Sequence, residues 1–318
     1  MHDCDVWVCS ETESCFAIRG AFPKIPVVGF FGMPILNRNE NSTELSRQML
    51  TQFIIEMASS PDVLFVANNM MLAEQFKVQT GVFLPVLRAH ALYLRHFEPY
   101  SHPAPLVNQF LVWGRQYLDR SYFVTILEAL QFDNPQFKNL EFEFVRDRGH
   151  FISYEKTSQY QGIVMFPWDY MLMFFYEHYT RNCPMFIPDH QYLFVVEKVA
   201  SFPDQMDEHF EVFSLERDTT KPTDDWPSPF WDYAEASVEQ FFVWYRLSDF
   251  GLYPHQQRFS SVAELLMLLR NADFGKISND MSAFNARLLG VTIEGYRNLL
   301  PSIMANKQRS AGFSYEPY

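Results

Sequence analysis

The sequence predicts an α/β protein of two doubly wound domains, and three observations carry that prediction. A chain of 318 residues is too long for one ordinary module and suits two, at roughly 100–200 residues each. With 48% hydrophobic, 17% aromatic and 20% charged residues it can bury large cores, which excludes disorder as the main state. Short β-branched runs alternate with helical patterns of about ten residues, the rhythm of parallel βαβ units with right-handed crossovers.

The first series occupies residues 1–105. Val6–Cys9 reads as a strand, Glu13–Arg19 as a helix and Ile25–Phe31 as a second strand ending in Gly-Met-Pro. Glu44–Met57 carries Leu45, Met49, Phe53, Ile54 and Met57 at helical spacing, and Val63–Ala67 follows as a buried strand. A helix starts near Met71 with Asn68 or Asn69 as its N-cap. Phe83–Leu87 is a further short strand, and Pro99, Pro103 and Pro105 mark a linker.

The second series, 106–318, opens with the strand Val107–Trp113 and the helix Tyr122–Leu130. The strand Leu140–Val145, a short helix near Ser153–Gln159, the strand Gly162–Phe166, the helix Met171–Thr180 and the strand Met185–Ile187 come next. Between 202 and 235 the pattern dissolves into Pro, Asp and Trp, with ten acids against Arg217 and Lys221, and reads as a surface insertion. Within it, Trp226 and Trp231 are expected to take an acceptor-glycan or domain-cover role. Helical patterning returns at Val238–Tyr245, Val262–Leu269 and Tyr296–Met304, and there is no internal repeat.

Composition also excludes partners. A formal charge of −13 repels a polyphosphate backbone, so nucleic acid is not expected. The longest apolar stretches are interrupted by Pro167 and Asp169 and fall short of the ~18–20 residues of a membrane span. Met-His-Asp-Cys-Asp has neither the basic nor the apolar region of a signal peptide, so localisation is unknown, with cytoplasmic as the default. Four cysteines without a CxxC pair are too few for a disulfide framework, and reduced thiols are expected. Asp3-Cys4-Asp5 matches a metal-binding DxD but precedes every strand, and His2 with the cysteines has the wrong spacing for a zinc knuckle, so no metal is expected. No GxGxxG, Walker A, HExxH or GxSxG string occurs.

Open α/β sheets bind ligands beyond the carboxyl ends of their strands, so residues just after each strand are the candidates. Gly114-Arg115 follows the strand ending at Trp113, and Arg120 lies near the next helix. Glycine for close approach, arginine and outward helical N–H groups suit a diphosphate, while a plain surface arginine is the alternative. After Gly162–Phe166, Pro167-Trp168-Asp169 turns into a helix that carries Glu177 eight positions on, a little over two turns, and two such acids can grip vicinal hydroxyls. A helix N-cap is the plain alternative for Asp169, and a solvent-facing position for Glu177. His90, with Arg88, follows the Phe83–Leu87 strand and is either an acceptor-side base or a hydrogen-bonded structural histidine. His255 and Asp249 share that ambiguity.

Asp169-x7-Glu177, with Pro184 and the strand Met185-Phe186-Ile187-Pro188 beyond it, resembles the E-x7-E region of retaining glycosyltransferases of the GT-B fold, with Asp in place of the first Glu. The stretch from Val63–Asn69 through Ala73-Glu74-Gln75-Phe76 to Gly81 and Pro85–Arg88 is similar to the late part of a GT-B N-terminal domain. The resemblance implies two Rossmann-like domains facing across a cleft, 1–105 on the acceptor side and lacking its first strands, 106–318 on the donor side. It implies Asp169 near the transferred sugar, Glu177 on the nucleotide ribose, and Gly114, Arg115 and Arg120 on the diphosphate, with Trp168 and Tyr170 beside them. His90 is then the second catalytic candidate, and Arg88 and Asn68 lie on the acceptor side. The chain departs from the family at Phe166-Pro167-Trp168, where glycine-rich sequence is usual, and in lacking the lysine beyond the arginine.

The function implied is transfer of a sugar from a nucleotide-sugar donor to a glycan, lipid or protein acceptor, with retention, without metal and with no cofactor beyond that co-substrate. The alternative is a catalytically silent GT-B-like domain that binds a partner or glycan. A sugar-nucleotide epimerase of the same fold is a third reading.

Overall fold

The computed structural model of the chain describes residues 5–32, 44–114, 122–145, 152–167, 172–200 and 238–311. The described residues divide into two units, 5–89 with 288–311, and 90–200 with 238–287.

In the first unit three parallel strands lie in the order β1 (Trp7–Cys9), β2 (Val27–Phe31) and β3 (Val63–Ala67). The helices α1 (Thr12–Ala21) and α2 (Glu44–Ala58) connect them, and α3 (Met70–Thr80) follows β3. Each step across the sheet goes the same way, so right-handed crossovers bring every connecting helix to one face. Alternation along the strands shows it: Val27, Phe31, Val63 and Phe65 pack with Ile54 and Met57 of α2 and Phe76 of α3. The opposite residues, Val28, Leu64 and Val66, pack instead with Tyr296, Leu299, Leu300 and Ile303 from the later turns of α11 (Phe274–Ala311).

The Phe83–Leu87 strand contracts to one parallel bridge between Val86 and Ala67. Pro85 has no N–H to give a ladder, so the pairing is limited to Ala67 N–H donating to Pro85 O and Leu87 N–H donating to Ala67 O. The expectation of reduced thiols is corrected for two cysteines. Cys9 ends β1 and Cys15 sits in the first turn of α1; the tight turn between them brings their Cα atoms to 5.4 Å and the sulfurs are bonded. Cys183 is free and buried.

The second unit holds a five-stranded parallel sheet in the order β5-β4-β6-β7-β8. Its strands are β4 (Leu106–Trp113), β5 (Glu141–Phe144), β6 (Tyr160–Met165), β7 (Met185–Pro188) and β8 (Gln257–Phe259). From β4 the chain steps through α4 (Tyr122–Asp133) to β5, then returns past β4 through α5 (Tyr154–Thr157) to β6 and continues the same way through α6 (Met173–Thr180) to β7. α7 (His190–Ala200), α8 (Val238–Leu247) and α9 (Asp249–Leu252) precede β8, and α10 (Val262–Asn271) follows it.

Reversal of winding puts helices on both faces. Phe123 and Leu127 of α4 and Leu265, Leu266 and Leu269 of α10 cover Phe110, Val112, Val164, Phe186 and Phe259. On the other side Phe175 and Tyr179 of α6 make an aromatic cluster with Tyr253 and Phe284. The fold is therefore α/β with parallel, Rossmann-like sheets, and among the described residues only the second reverses direction. The insertion at 202–235 lies outside the described residues.

Candidate functional site

The reversal places β4 and β6 side by side with their connections leaving in opposite directions, which is the switch point where α/β sheets open a crevice at their carboxyl ends. Trp113, the last residue of β4, pairs with Met165, the last of β6. Gly114 follows Trp113 and is half-buried. Arg115, Arg120, Trp168, Asp169 and Tyr170 come next in the chain after these two strand ends and lie outside the described residues.

An aromatic stack sits beside this edge. The Trp113 ring lies 3.5 Å from Phe174 in the first turn of α6, and Phe174 lies 3.8 Å from the His178 ring one turn later. His178 is fully buried, and burial pushes its pKa down to about 3, so the imidazole is neutral. Its Nδ1 is 2.9 Å from the Phe174 carbonyl, which fixes the proton there and leaves Nε2 an acceptor, with no partner among the described residues.

Glu177, the neighbour of His178, is 9% exposed, so the solvent-facing alternative does not hold. The backbone N-cap of α6 is Leu172, not Asp169. Glu177 Oε1 accepts hydrogen bonds from two phenols, Tyr93 in the 3₁₀ turn Leu92–Leu94 and Tyr154 at the start of α5, the latter at 2.8 Å. Burial, reinforced by the Glu177 charge, raises both phenol pKa values, that of Tyr154 to about 12, and both remain protonated donors. Arg181, just past α6, donates through Nη1 to the Tyr154 carbonyl (2.5 Å) and Thr157 Oγ1 (2.9 Å), and through Nη2 to the Glu98 carbonyl (2.7 Å). It pins the segment before β4 to α5 and leaves Glu177 to the tyrosines.

The structure thus brings Glu177, Tyr93 and Tyr154 together in the second unit, with Trp113-Gly114 linked to the same helix through Phe174. His90 begins that unit, half-buried, and burial lowers its pKa. Asn68 and Arg88 belong to the first unit. The Asn68 backbone N–H donates to Phe31 O at 3.0 Å, and its side chain is buried beside Gly32, where a Cβ would stand 3.3 Å from Nδ2. Asn68 Oδ1 has no partner among the described residues. Asn69, the N-cap of α3, accepts from Leu72 N–H at 2.8 Å. Asp249 accepts from the Tyr176 hydroxyl at 2.6 Å, and His255 Nδ1 lies 3.9 Å from Asp280.

Tyr93 carried no sequence signal as a member of this cluster, because it is 84 residues from Glu177 and lies between the expected strand Phe83–Leu87 and the linker marked by Pro99, Pro103 and Pro105. Among the described residues no group of three or more His, Cys, Asp or Glu side chains is arranged to hold a metal ion. No described helix is long and apolar enough to cross a membrane. No family model matches the chain, and no curated protein matches its sequence.

Proposed function

We propose that the chain is a nucleotide-sugar-dependent glycosyltransferase of the GT-B type, with the donor held by the second unit. The observation that carries this reading is the position of the winding reversal. The two strand ends beside it, Trp113 and Met165, are those followed in the chain by Gly114-Arg115 and by Trp168-Asp169-Tyr170.

In this reading Gly114, Arg115 and Arg120 take the diphosphate, and the arginines offset the charge that grows on it as the sugar leaves, the term that dominates such transfers. Asp169 stands at the transferred sugar and Glu177 takes ribose hydroxyls. Asn68, Arg88 and His90 serve the acceptor side. The neutral form favoured for His90 by burial suits a base.

Calorimetric titration with uridine and guanosine diphosphate sugars tests the reading. One of them binds, and Glu177→Ala weakens it by roughly 10- to 100-fold, the cost of losing a hydrogen bond to a charged group. Binding by none, or binding indifferent to the substitution, sinks the transferase reading and favours a domain that binds without catalysing. Product analysis without added acceptor separates transferase from epimerase.

A further inference from the structure

We infer that Tyr93 and Tyr154 are positioning residues that hold the Glu177 carboxylate so that its Oε2 accepts hydroxyl groups of a sugar ring. In the function proposed above, on which this rests, that ring is the ribose of the bound nucleotide.

A carboxylate oxygen has room for two donors in its plane, and both phenols go to the same one, Oε1. Oε2 receives no donor from the described residues, while Glu177 keeps 9% of its surface open. Among the described residues the cation nearest in the chain, Arg181, directs both Nη groups to two carbonyls and the Thr157 hydroxyl, and no hydrogen bond joins it to Glu177. Glu177 is thus a mostly buried acid stabilised by neutral dipoles, with one oxygen unserved. An ionised carboxylate accepts and cannot donate, so what completes it must be a donor, and hydroxyls continue the neutral pattern already set by the phenols.

The Tyr93 residue is 53% exposed although its hydroxyl is engaged, so its ring offers an apolar surface beside the acid. An aromatic plane next to a fixed carboxylate matches the two surfaces of a sugar, its C–H face and its hydroxyl edge. The two phenols come from separate segments of the chain, one before β4 and one before β6. They therefore restrict the carboxylate to one rotamer more tightly than either alone, and the ligand has less ordering to pay for.

The test uses the full chain, with UDP and GDP and their 2′,3′-dideoxy counterparts as probes in calorimetry. Tyr93→Phe and Tyr154→Phe keep the rings, including the Phe97–Tyr154 contact at 5.5 Å, and remove only the hydroxyls. Each is expected to weaken the ribonucleotide that binds by about five- to tenfold, the size of one ordinary hydrogen bond, and to leave the dideoxy form unchanged. Equal weakening of both forms would show the hydroxyls to be merely structural and overturn the inference, as would no weakening of either. If Glu177→Ala weakens the ribonucleotide while the tyrosine variants do not, the inference falls and the proposed function stands. If neither diphosphate binds the unaltered chain, both fall.

Discussion

The two sheets are built from the same strand, helix, strand rhythm yet differ in the direction of their winding. The first steps one way from β1 to β3, and the second turns back on itself between β4 and β6. A one-way sheet sends all its connections to one face, so it has no switch point among its described strands and its other face needs cover from elsewhere in the chain. That cover is α11, through Ile303 and its neighbours. The reversed sheet has connections on both faces, completed by α10 and the first turns of α11, and opens at the reversal. Chemistry is accordingly expected at the carboxyl edge of the second sheet, and dependence on distant sequence in the first.

Breaking that dependence gives the largest effect. Ile303→Ala removes a buried side chain from the α11 face and should cost about 2–5 kcal/mol. In hydrogen exchange, amides of β2 and β3 should lose protection while those of β4 and β6 keep it. Equal loss in both sheets would mean the two regions do not differ as described. Reduction of the Cys9–Cys15 bridge should destabilise the first unit by about 2 kcal/mol, less than for a longer loop, read as a lowered urea midpoint with unchanged exchange in the second sheet.

Acid titration sharpens the other side of the comparison. His178 has a folded-state pKa below its ordinary 6.5, so below that pH the unfolded chain binds a proton that the folded second unit refuses. Stability should fall as pH drops from 6.5 toward about 3, by at most about 1.4 kcal/mol per pH unit from this group. His90 and His190, also lowered by burial, add slopes of the same sign. His178→Gln should flatten the dependence measured by urea unfolding at pH 6.5, 5.5 and 4.5, and an unchanged slope would mean His178 does not titrate as its burial requires.

Much of this was legible from local pattern. Val63–Ala67 is the strand the sequence predicts, Asn69 is one of the two N-caps proposed for the next helix, and β4 ends at Trp113 as read. These elements carry a strong period or a capping side chain of their own. β8 has only three residues and exists because Phe186, Ile187 and Pro188 offer a free edge, so nothing local announces it. The α7 helix and the first turns of α11 also went unread, and Tyr296–Met304 proved to be part of one 38-residue helix. At the site, the acid at 177 was visible through its spacing of eight residues from Asp169. Its partners were not, because a hydrogen bond across 84 residues leaves no trace in spacing.

By itself, then, the sequence determined the alternation of elements, the parallel α/β class and the strand ends worth searching, since these follow from side-chain periodicity and turn chemistry within a few residues. The tertiary structure alone decided which strand lies beside which, hence where the winding reverses, which helix covers the bare face of the first sheet, and that two phenols share one oxygen of Glu177. Those are consequences of which surfaces bury best against each other over long separations, and a single chain read in order does not contain them.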